Sequence, residues 1–322
     1  MSTAPQSLYT LIRQNLNADG VLPEDFSLPK AADPDALTFA DGAMDGILCY
    51  HVSPGENDAS PLYTVVQLIA NGQTEEALDQ LYDFFPLGEF KTMLSYIDPL
   101  QNWIYEHRDS VPAAPLYHFA CQQLTMSSHP EVVKFALSLL ELLNTQDEPA
   151  LQEVITTLAL NDEFTLFALF IISSWPDANA RIFDLAQKVR GWGRIHAVDR
   201  LQPETPEIQD WLLTEGWRNN VLPAYSALTC LEKSQLLERW QQDLTCPTAA
   251  DELLRAALDG GPVSSLFQSE QGEALITAYL ALTVPMTPER TETVRAIADG
   301  IKDTAWPTKE TLAEQAQALL DQ

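Results

Sequence analysis

The stretch Gly191–Leu213, GWGRIHAVDRLQPETPEIQDWLL, decides the fold class. Gly191 and Gly193 supply permissive backbone where one helix ends and the next begins. From Trp192 onward Ile195, Val198 and Leu201 recur at a spacing of three, with the small Ala197 between them. That spacing puts them on one helix face. Pro203 stops the helix, because proline has no N–H to donate. Thr205 then reads as an N-cap and Pro206 as the first helical residue, with Ile208, Leu212 and Leu213 as the next buried stripe. The stretch is thus the second helix of one hairpin, a proline-broken turn, and the first helix of the next.

Working outward, the same kind of helix start recurs. His129-Pro130-Glu131, Glu148-Pro149, Pro176-Asp177, Thr205-Pro206-Glu207 and Thr287-Pro288-Glu289 each set proline beside a polar or acidic residue. Proline and acid suit a first turn, where N–H groups are free and the dipole is positive. From Pro149 to Pro176 to Pro206 the steps are roughly 30 residues, the length of a helix pair. Ser60-Pro61 opens a helix that ends at Asn71-Gly72, and Thr74 opens its partner. Phe164–Trp175, FTLFALFIISSW, is apolar all round and reads as a buried core helix. Spacing loosens near Gly260-Gly261-Pro262, and Thr308–Leu320 reads as a closing amphipathic helix.

The beginning differs. Leu8, Leu11, Ile12 and Leu16 form one helical stripe, but residues 21–60 are rich in Pro, Asp and Gly and show no helical period. Short extended pieces are expected at Leu37–Ala40 and Ile47–Val52, with a hairpin turn at Asp41-Gly42. This segment is either a binding loop with Asp41 and Asp45 exposed or a nonhelical cap on the first hairpin. The expected division is residues 1–60, an N-terminal helix plus irregular cap, and 61–322, a helical repeat domain with a possible break near 245–267.

The 322 residues carry 46 acidic and 18 basic side chains, a formal charge of −28. Phosphates would be repelled, which argues against nucleic acid and anionic membrane as partners and permits a basic protein. Solubility alone is the plainer reading of that charge. Cys49, Cys121, Cys230 and Cys246 are widely spaced and form no metal-ligand grouping, so no metal and no cofactor is expected. The N-terminus has no secretory pattern and no apolar run approaches the ~20 residues of a membrane span, so the cytoplasm is the expected location. There is no Gly-rich phosphate loop, HExxH, GxSxG or kinase signature.

The charge is uneven. Residues 1–100 hold three basic residues against 15 acidic ones, whereas Arg181, Lys188, Arg190, Arg194, Arg200 and Arg218 cluster between 181 and 218. Such arginines could grip carboxylates or a phosphate bidentately. They could equally pair with Asp184, Asp199, Asp210 and Glu215 inside and between repeats. Trp175, Trp192, Trp211, Trp217 and Trp240 share the same region and either anchor an interface or wedge between helices. His196 lies one turn from Asp199 without a nucleophile motif, so a hydrogen-bonding role outranks catalysis. The candidate binding set is Arg190, Trp192, Arg194, His196, Arg200, Trp211 and Arg218, with no catalytic and no metal residue.

The pattern Arg194-x-x-Ala197-x-x-x-Leu201 resembles the second helix of HEAT repeats, where a basic residue precedes a small and then a large apolar one. Phe39–Ile47, FADGAMDGI, and Gly191–Leu201 also look like segments of a group of uncharacterised bacterial helical-repeat proteins, a resemblance that bears on fold and not on activity. Another HEAT-like group, the alkylpurine DNA glycosylases, is strongly basic, which the charge here opposes. Together these lead to an all-α expectation: a right-handed α-α superhelix, a HEAT/armadillo-like solenoid, with a short irregular N-terminal region. The function expected is a non-enzymatic protein-binding or scaffold module whose partner is another protein or peptide. The alternatives are an acidic immunity-type inhibitor of a basic toxin, or an enzyme whose site no motif reveals.

Overall fold

The computed structural model describes residues 6–30, 38–52, 57–245, 250–260 and 263–321, and among them every regular element is helical. The chain forms two compact units, 1–197 and 198–322. The first holds α1 (Leu8–Asn15), α2 (Ala43–His51), α3 (Ser60–Ala70), α4 (Thr74–Phe84), α5 (Ile97–Glu106), α6 (Ala113–Met126), α7 (Pro130–Glu141), α8 (Pro149–Ala159), α9 (Asp162–Ile172), α10 (Ala178–Lys188) and the start of α11 (Trp192–Arg200), inside which the division falls. The second holds the end of α11, then α12 (Pro206–Trp211), α13 (Ala224–Lys233), α14 (Leu236–Gln242), α15 (Ala250–Asp259), α16 (Gly272–Leu280), α17 (Pro288–Ile301) and α18 (Lys309–Leu320).

The proline starts do what their chemistry allows. Pro130, Pro149, Pro206 and Pro288 are the first residues of α7, α8, α12 and α17, where a missing N–H costs no helical bond. Thr205 and Thr287 accept from the backbone N–H groups of Ile208 and Arg290, satisfying donors that the first turn leaves open. In α11 Ile195, Ala197 and Val198 are fully buried, and so is Leu201 just past its end. The end of the stretch departs from the expectation: α12 runs into a π-helical turn, Leu212–Gly216, with one extra residue per turn.

Packing follows a two-layer rule within each unit. In the first, α3 packs on α4, α6 on α7 and α8 on α9, while α5, α7 and α9 touch in succession and α6 touches α8. In the second, α13, α15 and α17 form one row and α14, α16 and α18 the other. Helices α7 and α9 form the centre of the first unit. Along α7, Val132 through Leu140 are all buried, and in α9 every residue from Phe164 to Ile172 except Phe170 is buried. Each such Val, Leu, Ile or Phe contributes about 1.5–3 kcal/mol through burial.

Two expectations for residues 21–60 are corrected. The run Ile47–His51, read as extended, is the second half of α2. Gly42 starts that helix in the left-handed conformation, at φ 73°, and Gly46 lies against the Trp192 ring, so glycines that resemble helix breakers are close-packing positions. Packing then overrides the strand preference of the Ile47–Tyr50 run. Asp41 and Asp45, which the binding-loop alternative would expose, are 9% and 2% exposed, and the cap alternative is helical where α2 runs. Leu37, Cys246, Gly261 and Pro262 lie outside the described residues.

Candidate functional site

Three helix N-termini converge on one ammonium. Helices α2, α7 and α9 each carry acid in the first turn, Asp45, Glu131 and Glu163. The Lys134 Nζ lies 2.7 Å from Asp45 Oδ2, 2.9 Å from Glu131 Oε1 and 2.5 Å from Glu163 Oε1. The opposite oxygens are used as well. Asp45 Oδ1 accepts from Thr92 Oγ1 at 2.5 Å, Glu131 Oε2 from the Met93 N–H at 2.6 Å, and Glu163 Oε2 from the Gly42 N–H at 2.7 Å. Three carboxylates against one lysine leave an excess of negative charge. The three helix dipoles, each worth about half a positive charge at its N-terminus, offset part of it.

The ionisation equilibria follow. Burial pulls Lys134 down, yet Asp45, Glu131 and Glu163 together hold it well above the ordinary lysine value. Burial pushes Glu131 up to about 7, against the pull of Lys134 and helped by the other two acids. Burial also raises Asp45, whereas for Glu163 the nearby Lys134 and the Gly42 N–H outweigh burial and keep it low. Burying such a cluster is costly, and well-packed apolar residues would serve stability at least as well. Perturbed acids gathered beside a cleft mark a candidate functional site.

Asp162, one residue before Glu163, ties in the stretch that opened the sequence analysis. Its Oδ1 accepts from the Gly193 N–H at 3.0 Å, and burial pushes its carboxyl up to about 7 despite donation from Gly193 and Gly191. A Cβ on Gly193 would sit 2.5 Å from Thr165 Oγ1 and 2.6 Å from Asp162 Oδ1, and one on Gly191 or Gly42 would collide with Asp162 itself. The two segments FADGAMDGI and GWGRIHAV therefore meet at the first turn of α9. Asp41 joins them, accepting from Asn161 Nδ2 at 2.9 Å and from the Leu28 N–H at 3.0 Å, and pairing with Lys30.

Above the cluster lies a cavity of about 160 Å³. Its floor includes Glu131 and Glu163, whose side chains retain 13% and 16% exposure. Its walls are Leu28, Phe39, Met44, Leu87 and Phe90, with His129, Lys30 and Lys91 also lining it. Lys30 is paired with Asp41, and Lys91 Nζ sits 3.2 Å over the Phe84 ring. Leu87 and Phe90 are 63% and 59% exposed and form a lip. Tyr82, beside them through its contact with the His129 ring, is 43% exposed.

The residues singled out from the sequence are placed elsewhere. Arg190 pairs with Glu24 at 2.7 Å on the surface. Arg194 Nε donates to the Ala186 and Val189 carbonyls at 3.1 and 2.8 Å, closing the end of α10. Trp192 and His196 are buried and stack with Tyr50. Arg200 and Trp211 are half-buried. Arg218 stacks on Trp217 at 4.3 Å, pairs with Glu252 at 2.7 Å, and borders a second cavity of about 640 Å³ within the second unit. Arg181 and Lys188 pair with Asp177 and Asp184 on their own helix. Ion pairs and carbonyl caps engage most of the basic cluster.

The residues that sequence reasoning passed over are Lys134, Glu131, Glu163, Asp162 and His129. One signal pointed to them: Lys134 interrupts VVKFALSLL, an otherwise apolar run, and a lysine in such a run is buried only when paired. Among the described residues, no grouping of three His, Cys, Asp or Glu is arranged to hold a metal, and no helix is long and apolar enough to cross a membrane. Compared with protein-family models, curated proteins and solved structures, the chain matches none.

Proposed function

We propose that the protein is a cytoplasmic, non-enzymatic binding module of the HEAT-like helical-repeat type, and that it docks a basic partner protein on its first unit. The alternation of helix rows, α5–α7–α9 beside α6–α8 and α13–α15–α17 beside α14–α16–α18, supports the repeat reading. The observation that carries the docking reading is the exposed lip of Leu87 and Phe90 over an acidic floor, with the exposed Tyr82 against the His129 ring nearby. Exposed aromatic and aliphatic side chains anchor interfaces. A chain of charge −28 attracts a basic partner and speeds the encounter in low salt. Arg218 and the cavity it borders offer the second unit a separate contact surface.

The test compares capture of basic proteins by the wild-type chain and by a Leu87→Asp, Phe90→Asp double variant, at low and high salt. A specific basic protein retained by the wild type, released by salt and lost with the variant at unchanged Tm supports the reading. Equal retention by both overturns it. If the retained protein is toxic alone and neutralised by this chain, the module is an inhibitor of the immunity type.

A further inference from the structure

The cavity over Lys134 has an unspent capacity of one kind. Glu131 and Glu163 border it, and each carboxylate oxygen has so far accepted one donor while able to accept two. His129, the N-cap of α7, lines the same cavity and is only 7% exposed. Its buried Nδ1 has no hydrogen-bond partner among the described residues. Burial holds the imidazole below its ordinary range against the pull of its hydrogen bond to the Phe85 backbone. With that bond made by the other ring nitrogen, the unpartnered Nδ1 of the neutral ring is the acceptor. The donors that face the two carboxylates are engaged. The Gly42 and Met93 N–H groups serve the carboxylates, Lys30 serves Asp41, and Lys91 lies over Phe84.

We infer that this cavity seats one cationic, hydrogen-bond-donating head group, an alkylammonium or alkylguanidinium, with Glu163 as the standing counter-charge, Glu131 as a carboxyl that ionises against the bound cation, and His129 Nδ1 as a neutral acceptor. An anion would face Glu89, Glu131 and Glu163, while Lys30 is paired with Asp41 and Lys91 lies over the Phe84 ring. The walls Phe39, Met44 and Leu87 take the alkyl stem. About 160 Å³ admits a side-chain head but not a drug-sized ligand, whose pockets run to about 300–1,000 Å³. The inference deepens the docking reading and rests on it for the source of the head group: an arginine or lysine of the partner, or a free amine of the same chemistry.

The experiment titrates the full chain with n-butylammonium, n-butylguanidinium and n-butanol, followed by NMR of the His129 ring and the Gly42 and Met93 amides. Both cations should shift these signals and saturate, and n-butanol should not. His129→Phe keeps a ring against Tyr82 while removing the acceptor, so it should weaken cation binding about tenfold with Tm unchanged. A Gly/Ser peptide carrying one arginine identifies the source. Tighter binding than n-butylguanidinium indicates a side chain, and equal binding indicates a free amine. Cations that bind no better than n-butanol to the wild type overturn the inference without reference to any variant, as does unaltered cation binding by His129→Phe. The docking reading stands or falls separately, on the Leu87→Asp, Phe90→Asp capture.

Discussion

Among the described residues each unit buries one lysine or arginine, and the two are held in opposite ways. In the first unit Lys134 faces three carboxylates within 2.9 Å, so acid outnumbers base. In the second, Arg290 is 1% exposed and leans on neutral groups. Its Nη2 donates to the Tyr279 carbonyl at 3.0 Å, and its guanidinium lies 4.5 Å over the Tyr279 ring. One acid belongs to that cluster, Asp251, which accepts from the Tyr279 hydroxyl at 2.5 Å. The Arg290 cluster ties α15, α16 and α17 together and lines neither cavity described above. Buried charge alone therefore makes a strut. It is a candidate site where a surplus of one sign opens onto a cavity, as at Glu131 and Glu163.

The sharpest way to break this comparison is to remove each cation. Lys134→Met strands three buried carboxylates, and losing one partner of a buried charge cluster costs about 3–5 kcal/mol. Denaturant unfolding at pH 7 should show that loss, and it should shrink near pH 5 as the acids take up protons. Arg290→Met strands one acid that keeps its tyrosine partner, and a loss of about 2 kcal/mol is expected. Equal losses for the two variants would show that the excess of acid around Lys134 has no energetic meaning.

The wild-type chain carries the same contrast in its pH dependence, with an effect between those two in size. Glu131 and Asp162 have folded-state values of about 7 against ordinary values of 4.5 and 3.8. Between those limits the native state holds protons that the unfolded state has released, so stability falls as pH rises from about 4 to 7. His129 works against this, because its lowered value makes stability rise with pH up to its ordinary 6.5. Glu163, with a lowered value, matters only below its ordinary 4.5. Asp45, raised by burial, acts in the same direction as Glu131 and Asp162. The three acids outweigh one imidazole, and a net loss on the order of 3 kcal/mol from pH 5 to pH 7.5 is expected. Hydrogen exchange read in α7 and α9 should show it. A flat or rising profile there would mean that Glu131 and Asp162 ionise normally.

Local chemistry explains which parts were legible in the sequence. Helix starts at Pro130, Pro149, Pro206 and Pro288 are written into one or two residues each, and the buried stripe of α11 into its spacing. The site was not legible, because its parts are far apart in the chain. Asp45 reads as a loop acid until Lys134 is known to meet it, and Gly46 reads as a breaker until the Trp192 ring is known to cover it. The arginines drew the functional reading because they cluster in sequence. In the fold Arg181 and Lys188 meet acids of their own hairpin and Arg194 meets carbonyls of α10, while Arg190 and Arg218 pair with Glu24 and Glu252 far away in the chain.

Arg194 gives the smallest effect and tests that last point. Its guanidinium donates to the carbonyls of Ala186, Gln187 and Val189, at and just past the end of α10. The last turn of a helix leaves carbonyls without intrahelical partners, and the dipole there favours a cation. Lys233 plays the same part for α11, donating to the Val198, Asp199 and Leu201 carbonyls at 3.0, 2.7 and 2.9 Å. Arg194→Gln should therefore cost about 1 kcal/mol, with Lys233→Met close to it, and neither should alter salt-sensitive retention of a basic partner. Thermal unfolding and capture on the same preparations separate the two roles. Loss of the partner by Arg194→Gln at unchanged Tm would move the docking face to the arginine stretch and away from the carboxylates around Lys134.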